Sequence, residues 1–249
     1  MDVLKFTLKG PFAFFKKPDV NTYYYFTYGN IHKVALLGIF GAILGYEGYN
    51  QCFNSYNNKK YDYPKFYDNL KDIEVAIVPK RINPSRKVQT YNNSVGYASQ
   101  EQGGNLIIKE QWLENPQWDI YLKLDNDESN KVVSAILTRG FVYLPYLGKN
   151  DHFADIEGAR IIKDVCMCNN VSKIDCLYVK KDFQMDSYDN EDDLEDEQTT
   201  FKYEEKLPIA LEKETNKYEL ASFIFTNNRV KKVSNVDVYD VDGKNIVFY

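Results

Sequence analysis

A chain of 249 residues with 44% hydrophobic content can bury one sizeable core or two small ones, and no apolar run reaches the roughly 20 residues that a membrane-spanning helix needs. No basic head with an apolar run and a small-residue cleavage site opens the sequence, and the four cysteines suit a reducing compartment, so a soluble cytoplasmic protein without membrane contact is expected. A net charge of -5 argues against a polyanionic partner only as an average, because eight of the 36 acidic residues fall within 186–197 and the rest of the chain is net basic.

In chain order, residues 3–8 alternate as a half-buried strand does, and Gly10-Pro11 stops them. Phe12, Phe14 and Phe15 then stand beside Lys16, Lys17 and Pro18, ahead of a passage holding Tyr23, Tyr24, Tyr25 and Tyr28. Asn30 can cap a helix over 31–44 that Gly45 closes. The helix is apolar almost all round, which marks it as a core helix, and Gly38, Gly41 and Gly45 allow a neighbouring backbone to come close. His32 and Lys33 fall in its first turn, where a cation is unfavourable unless an anion is shared there; the plain alternative is a Lys33 that points into solvent.

Further strands are expected over 73–78 and 118–124, a helix over 129–138, and a strand ending in a glycine turn over 139–151. Strand, helix, strand, long excursion, strand, helix, strand is the order of an α+β unit of the ferredoxin-like or RNA-recognition-motif-like kind, assigned to residues 1–156. The excursion over 81–117 reads as a projecting β-hairpin, or thumb. Residues 157–249 read as a small β-rich subdomain with strands over 159–165, 175–179, 218–226 and 237–248, and turns at Asn227-Asn228 and Asp242-Gly243.

Positive charge is clustered. Lys80, Arg81, Arg86 and Lys87 surround Pro84 directly after the second strand, followed by Tyr91, Gly96, Tyr97, Gly103 and Gly104. Basic residues neutralise phosphates, tyrosine rings stack on unpaired bases, and glycines let a hairpin turn. A plain basic surface loop is the alternative. Trp112 and Trp118, either side of Pro116, read as packing residues.

Four blocks carry a family resemblance: Lys9-Gly-Pro-Phe-Ala-Phe-Phe-Lys-Lys-Pro-Asp19, Lys33-Val-Ala-Leu-Leu-Gly-Ile-Phe-Gly-Ala-Ile-Leu-Gly45, Leu144-Pro-Tyr-Leu-Gly-Lys-Asn-Asp-His152 and Leu207-Pro-Ile-Ala-Leu211. In this order they resemble the CRISPR-associated Cas five family, most of all its subtype I-B members, and the Pro-Tyr-Leu-Gly-Lys-Asn-Asp block is the most specific. Residues 186–197 and the tract 56–63 match nothing in it. The resemblance implies an RNA-binding subunit that holds the 5′ handle of a processed CRISPR RNA beside Cas seven-type backbone subunits and a Cas eight-type large subunit. Contact with target DNA near the protospacer-adjacent motif stays open. It also implies that the hairpin reaches over the guide RNA and against the next backbone subunit. Candidate RNA contacts are Lys16, Lys17, His32, Lys33, Lys80, Arg81, Arg86, Lys87, Tyr91, Arg139 and Lys149.

Two rival chemistries are open to these residues. Metal-independent RNA cleavage needs a general base and an acid, for which His32, Lys33 and His152 are the candidates. Subtype I-B systems resemble those that leave this step to a separate Cas six endoribonuclease, so a non-catalytic role is expected; a structural interaction subunit without direct RNA contact is the third reading. A zinc cluster of Cys166, Cys168, Cys176 and Cys52 lacks the usual two-to-four-residue ligand spacing, and the acidic run lacks a calcium-loop pattern, so neither metal nor cofactor is expected. That run reads as a solvated loop.

Overall fold

A computed structural model describes residues 1–19, 22–52, 61–94, 96, 100–102, 104–168, 171–185 and 199–249. The acidic run, Tyr97, Gly103 and most of the tract 56–63 lie outside the described residues. The first half of the chain runs β1 (Asp2–Lys9), β2 (Phe12–Ala13), β3 (Tyr24–Tyr25), α1 (Lys33–Leu44), α2 (Lys65–Leu70), β4 (Val75–Pro79), β5 (Arg86–Asn92), β6 (Ile107–Glu114), β7 (Gln117–Leu124) and α3 (Asp127–Thr138). The second half is nearly all strand: β8 (Asp155–Ile162), β9 (Cys166–Met167), β10 (Tyr178–Val179), β11 (Phe183–Met185), β12 (Lys202–Leu211), β13 (Tyr218–Thr226), β14 (Val230–Lys232), β15 (Tyr239–Val241) and β16 (Lys244–Ile246). The fold is α+β and rich in strands.

The main sheet has the order β4-β7-β1-β8, with every neighbouring pair antiparallel. Alternation along β1 sends Leu4, Phe6 and Leu8 to one face and Val3 to the other. The first face packs on α1, α2 and α3, where Phe6 meets Phe40 edge-on at 6.4 Å. On the opposite face Val3, Ala76, Val78 and Tyr121 join Cys176, Tyr178, Val241 and Phe248 from the second half. The outer edge of β4 is sealed by Tyr249, whose backbone N–H and C=O both pair with Val75. Strand β8 runs through position 156/157, where the sequence reading divides the chain, and each of the two core clusters draws on both sides of that point.

Helix α1 begins two residues later than the apolar run suggests, because its N-cap is His32 rather than Asn30. His32 Nδ1 accepts a hydrogen bond from the Ala35 N–H, while Asn30 Oδ1 is taken by the Trp118 indole N–H at 2.9 Å. Gly45 ends the helix in the left-handed region, as expected. Gly41 is required by packing, since a Cβ there would stand 2.4 Å from Phe66.

Residues 139–151 do not form the expected strand. Arg139 is the left-handed C-cap of α3, and the next N–H groups are spent on α1: Val142 donates to the Ile43 carbonyl and Tyr143 to that of Ala42. Val142, Tyr143 and Leu144 are left exposed. The expected strand over 159–165 starts earlier, as β8, and closes the first sheet rather than a separate one. Only the end of 175–179 is strand, and 237–248 divides into β15 and β16 about the Asp242-Gly243 turn.

The loop after Tyr146 crosses the start of the chain at Gly148, whose φ of 89° is left-handed and whose Cβ, if present, would lie 1.9 Å from the Phe14 carbonyl oxygen. Gly148→Ala therefore should lower stability by at least about 3 kcal/mol in urea unfolding. Gly243→Ala, left-handed but with nothing within 4 Å, should cost about 1 kcal/mol.

Candidate nucleic-acid interface

Strand β6 is the spine of a second, smaller sheet. It carries β5 along one edge, while β2 and the parallel β3 share the other. Strands β5 and β6 thus form a hairpin within the 81–117 excursion, in register from Arg86–Leu113 to Asn92–Ile107. The outward residues of β5 are exposed, so Arg86 and Lys87 reach solvent, with the Lys87 ammonium 5.3 Å from the Phe12 ring centroid.

At the centre of β6 sits Glu110, only 5% exposed. Its carboxylate accepts hydrogen bonds from Tyr91 Oη at 2.7 Å, Trp112 Nε1 at 2.8 Å and Lys149 Nζ at 2.8 Å. Burial pushes this carboxyl up, but the three donors outweigh it and hold the group below the usual carboxylate range. Tyr91 is pushed up to about 12, by burial and then by its bond to Glu110. The Lys149 ammonium also lies between 5.2 and 6.0 Å from the rings of Tyr91, Trp112 and Phe14, which joins the 144–152 loop to the hairpin. A buried charge supplied with three donors is strongly destabilised when one is removed, so Lys149 positions the hairpin as well as offering charge.

A second charged corner lies nearby. Lys17 pairs with Glu205 of β12 at 2.5 Å, Gly29 N–H donates to Glu205 Oε2 at 2.8 Å, and Tyr203 donates to the same carboxylate. A Cβ on Gly29 would stand 3.1 Å from the Arg86 guanidinium. Lys16, one residue before, is exposed, with its ammonium 4.0 Å from the Tyr25 ring centroid. Lys16, Lys17, Arg86, Lys87, Tyr91 and Lys149 are thus gathered around β2, β3, β5 and β6. Sequence reading missed Glu110, Trp112 as a donor, and Tyr203 and Glu205 from the second half. They stand among other charged and polar residues of β6 and β12, so nothing local marked them out.

Other candidates are placed elsewhere. Lys80 is tied to Asp119, a 3%-exposed carboxylate that also accepts from Thr7 Oγ1 at 2.8 Å. Lys33 is half-buried; burial holds its pKa below the usual lysine value, offset in part by Glu74 and Asp72. Arg81 is exposed, and Arg139 donates to the Ile156 carbonyl beside α3.

The two histidines occupy aromatic boxes. His32, 3% exposed, has Phe15, Tyr28 and Tyr218 edge-on within 6.0 Å, and burial lowers its pKa to about 3. His152 lies against Trp112 at 4.4 Å and Phe12 at 6.0 Å, and neither of its ring nitrogens is hydrogen-bonded among the described residues. Burial lowers its pKa as well. No group of three metal-ligating side chains occurs among the described residues, and no helix there is long and apolar enough to cross a membrane.

No described protein family and no curated protein matches this sequence. Two solved structures share the fold over nearly its whole length. A chain of a CRISPR RNA-guided surveillance complex superposes with a TM-score of 0.52 at 12% identity, covering 93% of this chain and 91% of its own. A CRISPR protein from Archaeoglobus fulgidus gives a TM-score of 0.51 at 8% identity, covering 99% of this chain and 98% of its own. At such identities the likeness is one of fold.

A histidine unfolds with a pKa near 6.5, whereas His32 in the fold titrates near 3, so between these values the unfolded chain binds more protons and stability falls as pH drops. His32→Asn keeps a side-chain cap and removes the titration. Urea midpoints measured from pH 7 to pH 5 should therefore slope less steeply for the variant than for the native chain, and equal slopes would show that His32 is not held neutral.

Proposed function

We propose that this protein binds the 5′ handle of a processed CRISPR RNA and caps one end of a type I, subtype I-B-like, interference complex. The observation that carries this reading is the gathering from three chain segments of Lys16, Lys87, Tyr91 and Lys149 beside Phe12, Trp112 and Tyr25, with Lys17 and Arg86 at the neighbouring Glu205 corner. Cations track a phosphate backbone while rings receive its bases, which is how single-stranded RNA is held. Support for the CRISPR setting comes from the fold shared with a chain of an RNA-guided surveillance complex.

The path β1-α1-β4-β7-α3-β8, with β4-β7-β1-β8 as the order in the sheet, supports reading the first unit as ferredoxin-like, with the 81–117 hairpin as its thumb and the remaining strands as a β-rich second unit. On this proposal the thumb lies over the guide RNA against a Cas seven-type neighbour, and the other end meets the Cas eight-type large subunit, with target DNA near the protospacer-adjacent motif within its reach, all in the cytoplasm.

The protein holds RNA without cutting it. A general base works best with a pKa near the working pH, and the His32 value of about 3 makes it a weak one. His152 is enclosed by rings, and Lys33 stands near Glu74 and Asp72 rather than in the basic face.

The test is incubation of the purified chain with a labelled precursor repeat RNA in EDTA, scored for cleavage on one gel and for handle binding on another. Binding without cutting is expected; a discrete cut within the repeat would make the protein a metal-independent endoribonuclease instead. A triple Lys16→Gln, Arg86→Gln, Lys87→Gln variant should weaken handle binding and reduce the slope of log affinity against log salt by about 2. An unchanged slope would remove this face from the binding surface.

A further inference from the structure

Two cavities lie along the side of α1 and a third lies beyond Tyr49, and Tyr218 lines all of them. The aromatic one, about 620 Å³, is floored by Ala35, Gly38 and Ala42 and walled by Phe15, Tyr49, Tyr143 and Tyr146. Its size falls within the roughly 300–1,000 Å³ of small-molecule pockets. Gly38 differs from Gly41 one turn on, because a Cβ there would come no nearer than 3.9 Å to Phe66. A glycine inside a helix costs about 1 kcal/mol relative to alanine, and at Gly38 internal packing does not demand it. What it preserves is the open floor.

The neighbouring cavity, about 360 Å³, is lined by His32, Lys16, Lys149, Glu110, Gly148 and Tyr218, among others. His32 Nδ1 accepts from the α1 backbone, which leaves the proton of the neutral ring on Nε2. The side chain is 97% buried, and what remains open of its surroundings is this cavity, which it helps to line. A ring N–H at the wall of a cavity can serve a ligand seated there. Of the two carboxylates that face these chambers, Asp19 lines the third and Glu110 is taken up by its three donors, whereas Lys16, Lys149 and Lys217 contribute positive charge.

We propose that this trough is a nucleotide subsite: one unpaired base lies in the aromatic chamber over Gly38, and His32 Nε2–H donates to an acceptor of the same nucleotide, whose phosphates meet Lys16, Lys149 and Lys217. The inference rests on the RNA-binding reading above and adds a place on the protein where a single base is taken out of the strand. Rings on three sides with an edge donor suit a base; the bordering lysines favour a nucleotide over an aromatic side chain of a neighbouring protein.

An abasic scan tests it. Labelled single-stranded RNA oligomers of roughly ten nucleotides, each lacking one base, are titrated against the native chain and against Gly38→Leu and Ala42→Leu, with thermal unfolding recorded for each. One position should lose about tenfold or more in affinity when its base is missing, and that loss should vanish in the leucine variants, whose side chains fill the chamber. Gly38→Ala should fall between, and His32→Asn should weaken binding of the intact RNA. A fluorescent purine analogue at the sensitive position should be quenched on binding to the native chain, a readout independent of any variant. RNA binding with no sensitive position, or with sensitivity retained in folded leucine variants, overturns the subsite and leaves the RNA-binding reading standing. Loss of a protein partner in Gly38→Leu with RNA affinity unchanged assigns the chamber to a side chain and also overturns it. Absence of RNA binding by the native chain overturns the function itself.

Discussion

A helix that is apolar on every side has to be covered on every side, and that requirement organises this molecule. Helix α1 lies between the β4-β7-β1-β8 sheet and β12, with α2 and α3 beside it, so its burial draws both halves of the chain into one core. Residues such as Leu36, Leu37, Phe40 and Ile43 are fully enclosed, and truncating Phe40 would remove about 3–5 kcal/mol from a fold whose net stability is of the same order. The strip where cover is incomplete runs along Ala35, Gly38 and Ala42, and the aromatic cavity opens there. Packing and concavity are therefore two sides of one arrangement.

The second constraint is electrostatic. Placing a carboxylate in the middle of β6 would be costly unless donors were brought to it, and Tyr91, Trp112 and Lys149 supply them from both strands of the hairpin and from a loop some 40 residues further on. Glu110 thereby fixes where Lys149 sits and how the hairpin stands on the body. Glu205 plays a like part for Lys17 and the backbone of Gly29. Two acidic residues thus shape the basic face, which is why net charge is a poor guide to what this surface binds.

Fold and residues carry different information here. The chain superposes on a surveillance-complex subunit over 93% of its length at 12% identity, so the arrangement of strands and helices persists where few side chains do. The architecture depends on alternation and helical periodicity, which many residues satisfy; the basic face depends on particular side chains at particular positions.

Alternation over 3–8, an apolar run closed by Gly45, and the periodicity of α3 are local patterns, and from the sequence alone they determined the order strand, helix, strand, hairpin, strand, helix, but not the closing strand, which is β8. The clustering of Arg86 and Lys87 with Tyr91 was legible for the same reason, since neighbours along a strand stay neighbours in space. Tertiary structure alone decided that His32 rather than Asn30 caps α1, because a distant Trp118 claims Asn30. It alone turned 139–151 from a strand into a loop, because the C-terminal carbonyls of α1 take up the N–H groups of Val142 and Tyr143. Only the folded chain sets Glu110, Lys149 and Glu205 beside the hairpin, and sorts the lysines into those that hold buried carboxylates, such as Lys80, and those left at the surface, such as Lys87. Periodicity is written within a few residues, whereas desolvation and the choice of hydrogen-bond partner depend on groups far apart in the chain.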